Sequence, residues 1–215
     1  MKTSQKILVQ CDFDGTVTEQ DISFLLLDEF ANGDWHILNE QYTTGKLTVG
    51  QFNEKAFGLI TAGKETMLDF IKSRARIRKG FKDFVNLCSE KGLRLVIVSN
   101  GLEFYIENIL TDNGLSEIEF HAAKTKFIPQ GLKTRFQGPD GKLVDKDFKI
   151  GYVNHFLNEG YKIIYIGDGN SDLYPAKLCH SVFAIDNLLK NCRLTGIICN
   201  PFEDFTDITK ILKTW

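Results

Sequence analysis

The chain has 215 residues, 43% of them apolar, and sets 26 Lys and Arg against 28 Asp and Glu for a net charge of −2. That length allows one large domain or two modest ones, and the balanced charge argues against a dedicated nucleic-acid binder, which carries a clear basic excess. Five cysteines without a CxxC pair and four histidines without zinc-like spacing exclude an evident disulfide framework or structural zinc site.

The first apolar run is too short for a signal peptide and no run approaches a membrane span, so a cytoplasmic protein with no membrane partner is expected. "ILVQC" predicts a short buried strand, and two acids, Asp12 and Asp14, follow it at once. Neighbouring acids repel and are costly to bury unpaired, so a positive group between them is expected. From about Ile22 to Arg78 the pattern is helical, through "ISFLLLDEFA", "TVGQFNEKAFGLI" and "KETMLDFIKSRA", with no convincing strand. The basic run "KSRARIRKGFK" lacks the aromatic interleaving of a nucleic-acid patch and reads as a solvated linker. "GFKDFVNLCSEKG" then predicts a helix ending on Gly92, and "LRLVIVSNG" a buried strand. "LEFYIENILTDNG" is a further helix, and the turn-rich stretch around Pro139-Asp140-Gly141 predicts a β-hairpin or loop. "IGYVNHFLNEG" reads as a helix, "YKIIYIGDG" as a second buried strand and "SVFAI" as a shorter third. Strands alternating with helices predict an α/β fold, a Rossmann-like three-layer core with a parallel sheet and a small helical cap domain inserted after the first strand. The expected boundaries are 1–20 with 80–215 for the core and 21–79 for the cap.

In an open parallel sheet, ligands bind beyond the carboxyl ends of the strands. Those ends carry Asp12, Asp14 and Thr16, then Ser99 and Asn100, then Asp168 and Asp172. Asp12, Asp14 and Asp168 are expected to hold a hard divalent cation, Mg²⁺, through oxygen ligands. Such a site suits phosphoryl transfer: a carboxylate attacks phosphorus, a cation and a lysine offset charge, and a second acid protonates the leaving alkoxide. "VDKDFKIGYV" offers Lys146 and Lys149 for the lysine.

"DFDGT", "VSNG", a downstream lysine and "GDGNSD", in that order, resemble the four motifs of the haloacid-dehalogenase-like hydrolases. The helical insertion just after the first motif resembles the phosphoserine-phosphatase-like branch. The resemblance implies Asp12 as nucleophile, Asp14 as general acid and base, Ser99 and Asn100 at the phosphate, and Asp168 as metal ligand. It implies Asp172 and Thr16 behind the ligands, and favours Lys149 because the family's lysine sits at a helix start. An acid at Asp14 implies a phosphatase or mutase rather than a dehalogenase. The substrate implied is a small phosphomonoester. "CDFDGTVTEQD", "ARIRKGFKDFV", "GLEFYIENIL" and "FAIDNLLKNC" are most similar to branch members acting on 2-hydroxy-3-keto-5-methylthiopentenyl-1-phosphate. Phosphoserine is the alternative, but Asp21 stands where phosphoserine phosphatases carry a glutamate, and the cap stretch has only Lys55 where they use an arginine. Asp21 reads equally as a helix N-cap, and Phe52 and Phe57 as a partly apolar substrate wall or as cap core. The likeness lapses between Ala122 and Asp147. Transfer to an acceptor alcohol stays open beside hydrolysis. A phospho-accepting signalling domain also gathers acids and a lysine around Mg²⁺, but is shorter and has no helical insertion. Nothing in the sequence indicates an oligomeric state.

Overall fold

The computed structural model describes residues 5–129 and 131–215. Residues 1–4, the start of the expected core segment 1–20, and residue 130, within the expected hairpin, lie outside the described residues.

Eight strands form one sheet: β1 (Ile7–Cys11), β2 (Arg94–Leu102), β3 (Glu119–Ile128), β4 (Gly131–Gln137), β5 (Leu143–Val144), β6 (Lys162–Gly167), β7 (Ser181–Ala184) and β8 (Asn200–Pro201). Their spatial order is β5-β4-β3-β2-β1-β6-β7-β8. Pairings from β3 across to β8 are parallel, while β4 and β5 join antiparallel. Central strands buried on both faces need continuous apolar runs, and "LVIV" in β2 and "IIYI" in β6 supply them. β1 lies between those two, with Leu8, Val9 and Cys11 fully buried.

The segment after β1 folds into α1 (Ile22–Phe30), α2 (Trp35–Thr43), α3 (Val49–Phe57) and α4 (Lys64–Lys72). Asp21 and Asp34 cap α1 and α2, and Thr48 with Gln51 forms a capping box on α3. α2 has no counterpart in the sequence reading. It buries only Trp35 and so has no apolar stripe to announce it.

α5 (Phe81–Glu90), α6 (Glu103–Asp112), α7 (Phe148–Asn158), α8 (Leu173–Ala176), α9 (Asp186–Thr195) and α10 (Phe205–Leu212) complete the α/β core. Phe205 of α10 packs against Phe81 and Phe84 of α5, with ring centroids 4.8 and 5.1 Å apart. None of the described helices is long and apolar enough to cross a membrane.

The turn-rich segment holds more structure than its composition announces. A hairpin does form around Pro139–Gly141, between β4 and β5, but β3 runs through "EFHAAKTKFI" and pairs with both β2 and β4. This meander docks on the inserted helices. Asp145 accepts from the Gly50 N–H at its carbonyl, 2.9 Å, and from the Thr48 hydroxyl at Oδ2, 2.6 Å.

Candidate active site

Because β1, β2 and β6 are neighbours, their carboxyl ends deliver three loops to one edge of the sheet. Asp12 follows β1 directly, tied to β6 by its N–H to the Ile166 carbonyl at 2.9 Å. Its Oδ1 accepts from the Phe13 N–H at 2.8 Å, and Oδ2 lies 2.7 Å from Lys149 Nζ. Lys149 opens α7, and Gln10, the one polar residue inside β1, donates to the Lys149 carbonyl at 3.1 Å. That bond fixes the start of the helix over the strand. The buried Lys149 ammonium reaches Asp172 Oδ1 as well, at 2.6 Å, and Ser171 Oγ at 3.3 Å. Lys146 is exposed, which separates the two candidates.

Asp172 is fully buried and saturated with donors. Oδ1 also accepts from the Tyr165 hydroxyl at 2.7 Å, and Oδ2 from the N–H groups of Asp168 and Gly169 at 3.2 and 2.9 Å. These last two bonds bend the chain after β6 and set the direction of Asp168. Asp168 Oδ1 accepts from the Thr16 hydroxyl at 2.8 Å. β2 loses register against β3 between Val98 and Leu102, which frees Ser99 and Asn100 to turn over the edge. Ser99 is buried, and its Oγ accepts from the Gly101 N–H at 3.0 Å. Asn100 accepts at its carbonyl from Asn53 of α3, 2.9 Å, a direct tie between inserted helix and core. Its Oδ1 is buried without a partner among the described residues.

Asp12, Asp168 and Asp172 bring carboxylate oxygens within 4.8 Å of one another. Burial, then the Asp172 carboxylate, pushes Asp12 well above the usual carboxyl range, with Lys149 opposing. Burial and Asp172 likewise push Asp168 up to about 7. Burial disfavours the Lys149 charge, but Asp12 and Asp172 outweigh it and hold the ammonium protonated. Three acids thus face one cation, and the surplus negative charge in a buried pocket fits a divalent ion with hard oxygen ligands. Gly15, at φ 72, leaves the space open, since a Cβ there would press on the Asp168 carboxylate.

Two of the predicted residues are placed differently from the rest. Asp14 was expected to share the cation through its side chain. Instead Oδ1 accepts from the Ile22 N–H at 3.0 Å and Oδ2 from the Tyr105 hydroxyl at 2.5 Å, and the clustered trio contains Asp172 in its place. Asp172 carries four donors, more than Asp12 or Asp168. Phe57 was weighed as a substrate contact. It is fully buried on the inward face of α3 and presents no surface. Phe52 is nearly buried and stacks on Tyr42, centroids 5.3 Å apart. Asp21 caps α1, accepting from the Phe24 N–H at 2.9 Å, and burial pushes its carboxyl up to about 6.

Sequence reasoning missed three contributors. Tyr165 reads as one more apolar strand residue and Tyr105 as one more helix-core aromatic, so neither carries a signal. Arg78 lay within the basic run. Most of that run is exposed, as expected, but Arg78 folds back and donates to the carbonyls of Gly15 and Thr16 at 2.7 and 2.9 Å. It braces the loop that carries the first two acids.

An acid cluster with one buried lysine thus lies at the carboxyl edge of a parallel sheet roofed by inserted helices. A profile of the haloacid dehalogenase-like hydrolases matches residues 9–177, and the chain belongs to that family. Curated relatives narrow the comparison. The 2-hydroxy-3-keto-5-methylthiopentenyl-1-phosphate phosphatase of Geobacillus thermodenitrificans is 31% identical over 214 residues, covering 97% of this chain and 96% of that protein. The protein of the same description from Brevibacillus brevis is 29% identical over 214 residues, with 98% and 96% covered. Among solved structures, a phosphoserine phosphatase with a phospho-aspartyl intermediate analogue superposes with a TM-score of 0.72 at 21% identity, over 97% of this chain and 99% of that one. The fold is therefore shared, and the helices inserted after β1 form a cap, as they do there.

Proposed function

We propose that the chain is a Mg²⁺-dependent phosphomonoesterase that passes the phosphoryl group through Asp12, with 2-hydroxy-3-keto-5-methylthiopentenyl-1-phosphate or a close analogue as substrate. The observation that carries this reading is the buried Asp12–Lys149–Asp172 contact, at 2.7 and 2.6 Å, with Asp168 in the same cluster. An Asp12 oxygen attacks phosphorus in line with the leaving oxygen. The ester P–O bond breaks, its electron pair stays on the leaving oxygen, and Asp14 supplies the proton. Water then attacks the aspartyl phosphate and gives its proton to Asp14. Phosphate departs and the Asp12 carboxylate returns. Ser99, Asn100 and Lys149 hold the phosphoryl oxygens. Asp12 and Asp168 would hold Mg²⁺, which would supply charge neutralisation for the transferring group. The cap keeps bulk water from the pocket.

Two features support the substrate beyond the likeness to the relatives. α3 carries no arginine to fork onto a substrate carboxylate, and its one cation, Lys55, is exposed. Tyr42 is partly buried and stacks on Phe52 of α3, ring centroids 5.3 Å apart, an aromatic pair in the inserted helices suited to an apolar substrate end. Phosphate release from this ketose phosphate, phosphoserine and pyridoxal phosphate tests the reading. The expected kcat/KM for the first exceeds the others by roughly tenfold or more, and EDTA silences all three. A flat profile contradicts the substrate, full activity in EDTA contradicts the metal, and added alcohols that divert phosphate into new esters would favour transfer.

A further inference from the structure

Asp14 is held by groups outside the four motifs. Tyr105 of α6 is fully buried, with its Oη 2.5 Å from Asp14 Oδ2 and 2.8 Å from Ser23 Oγ. A tyrosyl hydroxyl has one proton to donate. When Asp14 is ionised, that proton goes to its Oδ2, and the Ser23 hydroxyl donates in turn to Tyr105. The other oxygen, Asp14 Oδ1, accepts from the Ile22 N–H. The carboxyl group is thus gripped from two sides: by α6 of the core and by the first turn of α1. Gly101 shows how closely the pair fills its space. A Cβ at that position would collide with both Tyr105 Oη and Asp14 Oδ2, so the glycine of "SNG" is required by this contact.

We infer that Tyr105, backed by Ser23, is a positioning residue that aims Asp14 at the leaving oxygen. The inference rests on the phosphatase reading above. A buried hydroxyl that donates to a carboxylate fixes the plane of that carboxylate, and a general acid must meet the leaving oxygen at hydrogen-bond distance and angle. Removing the hydroxyl leaves Asp14 with one fixed donor and freedom to turn about its side-chain bonds. The loss falls on the two proton transfers of Asp14, to the leaving oxygen and from the hydrolytic water, and spares the attack by Asp12.

Leaving-group dependence reads that difference. p-Nitrophenolate departs without a proton, whereas the alkoxide of β-glycerophosphate needs one. Tyr105→Phe keeps the ring and its packing. It is expected to lower kcat/KM, which reads the steps up to departure of the leaving group and not the later hydrolysis common to both esters, by roughly 10- to 100-fold for β-glycerophosphate and by less than about threefold for p-nitrophenyl phosphate. Ser23→Ala should move the ratio in the same direction by a smaller factor, and it decides the matter if the tyrosine variant does not fold. Equal losses in kcat/KM on the two esters mark Tyr105 as merely structural and overturn the inference, as does no loss on either. A wild-type protein inactive on both esters overturns the phosphatase reading, and this assignment with it.

Discussion

Asp12→Asn is expected to lower Mg²⁺-dependent release of phosphate by roughly 10⁴-fold or more while the protein stays folded. A carboxamide is no nucleophile toward phosphorus, so the first step is lost outright. The fold has less to lose. The asparagine oxygen can still accept from the Phe13 N–H, and Lys149 keeps its partner in Asp172. One negative charge also leaves a pocket in which three acids face a single ammonium. Thermal melts by circular dichroism should place the change in stability within roughly 1 kcal/mol of the parent. A folded variant that turns over within tenfold of the parent would remove Asp12 from the nucleophile's role.

The second large effect falls on stability as well as rate. Lys149→Met strips the cation from between Asp12 and Asp172, which are buried and lie 2.7 and 2.6 Å from its ammonium. Breaking one side of a buried ion pair costs about 3–5 kcal/mol, or a fall in Tm of roughly 6–20 °C for a domain of this size. The pH dependence has a definite sign. Burial already holds Asp12 above the ordinary carboxyl range and Asp168 at about 7. An acid whose folded pKa lies above its unfolded value is stabilised by keeping its proton, and that stability is lost as pH rises through the folded pKa. Without Lys149, and with divalent cations removed by EDTA, proton uptake is the remaining way to neutralise these carboxyls. The deficit against the parent should therefore be smallest near pH 5 and grow toward pH 8. Melts of both proteins across that range check it, and equal Tm values throughout would mean that the lysine does not hold the cluster together.

The sheet's central strands were legible because β-branched apolar runs ending in polar residues have few other uses. Asp12, Ser99, Lys149 and Asp168 were legible because each stands at the end of a strand or the start of a helix, where an α/β fold gathers its chemistry. What stayed hidden depends on contacts between distant residues. The direction of the Asp14 side chain is set by Tyr105 and the Ile22 amide, and no local pattern around "DFDGT" contains either. Asp172 sits at a helix start like an ordinary cap, yet its oxygens are committed to Lys149, Tyr165 and two amides. β3 escaped notice because "EFHAAKTKFI" mixes charge into an edge-facing arm, and its pairing with β4 replaces the apolar signal by backbone hydrogen bonds. Arg78 was one basic residue among several, and only the fold separates the one that braces the loop from those in water.

Whether Asp12 carries the phosphoryl group can be read directly. The protein is mixed with Mg²⁺ and excess phosphomonoester, quenched during turnover, reduced with borohydride and digested for peptide mass spectrometry. An acyl phosphate at Asp12 is reduced to homoserine at that position, in the parent and not in Asp12→Asn. Homoserine at another acid, or turnover with every carboxylate unmodified, would contradict the phosphoryl relay through Asp12.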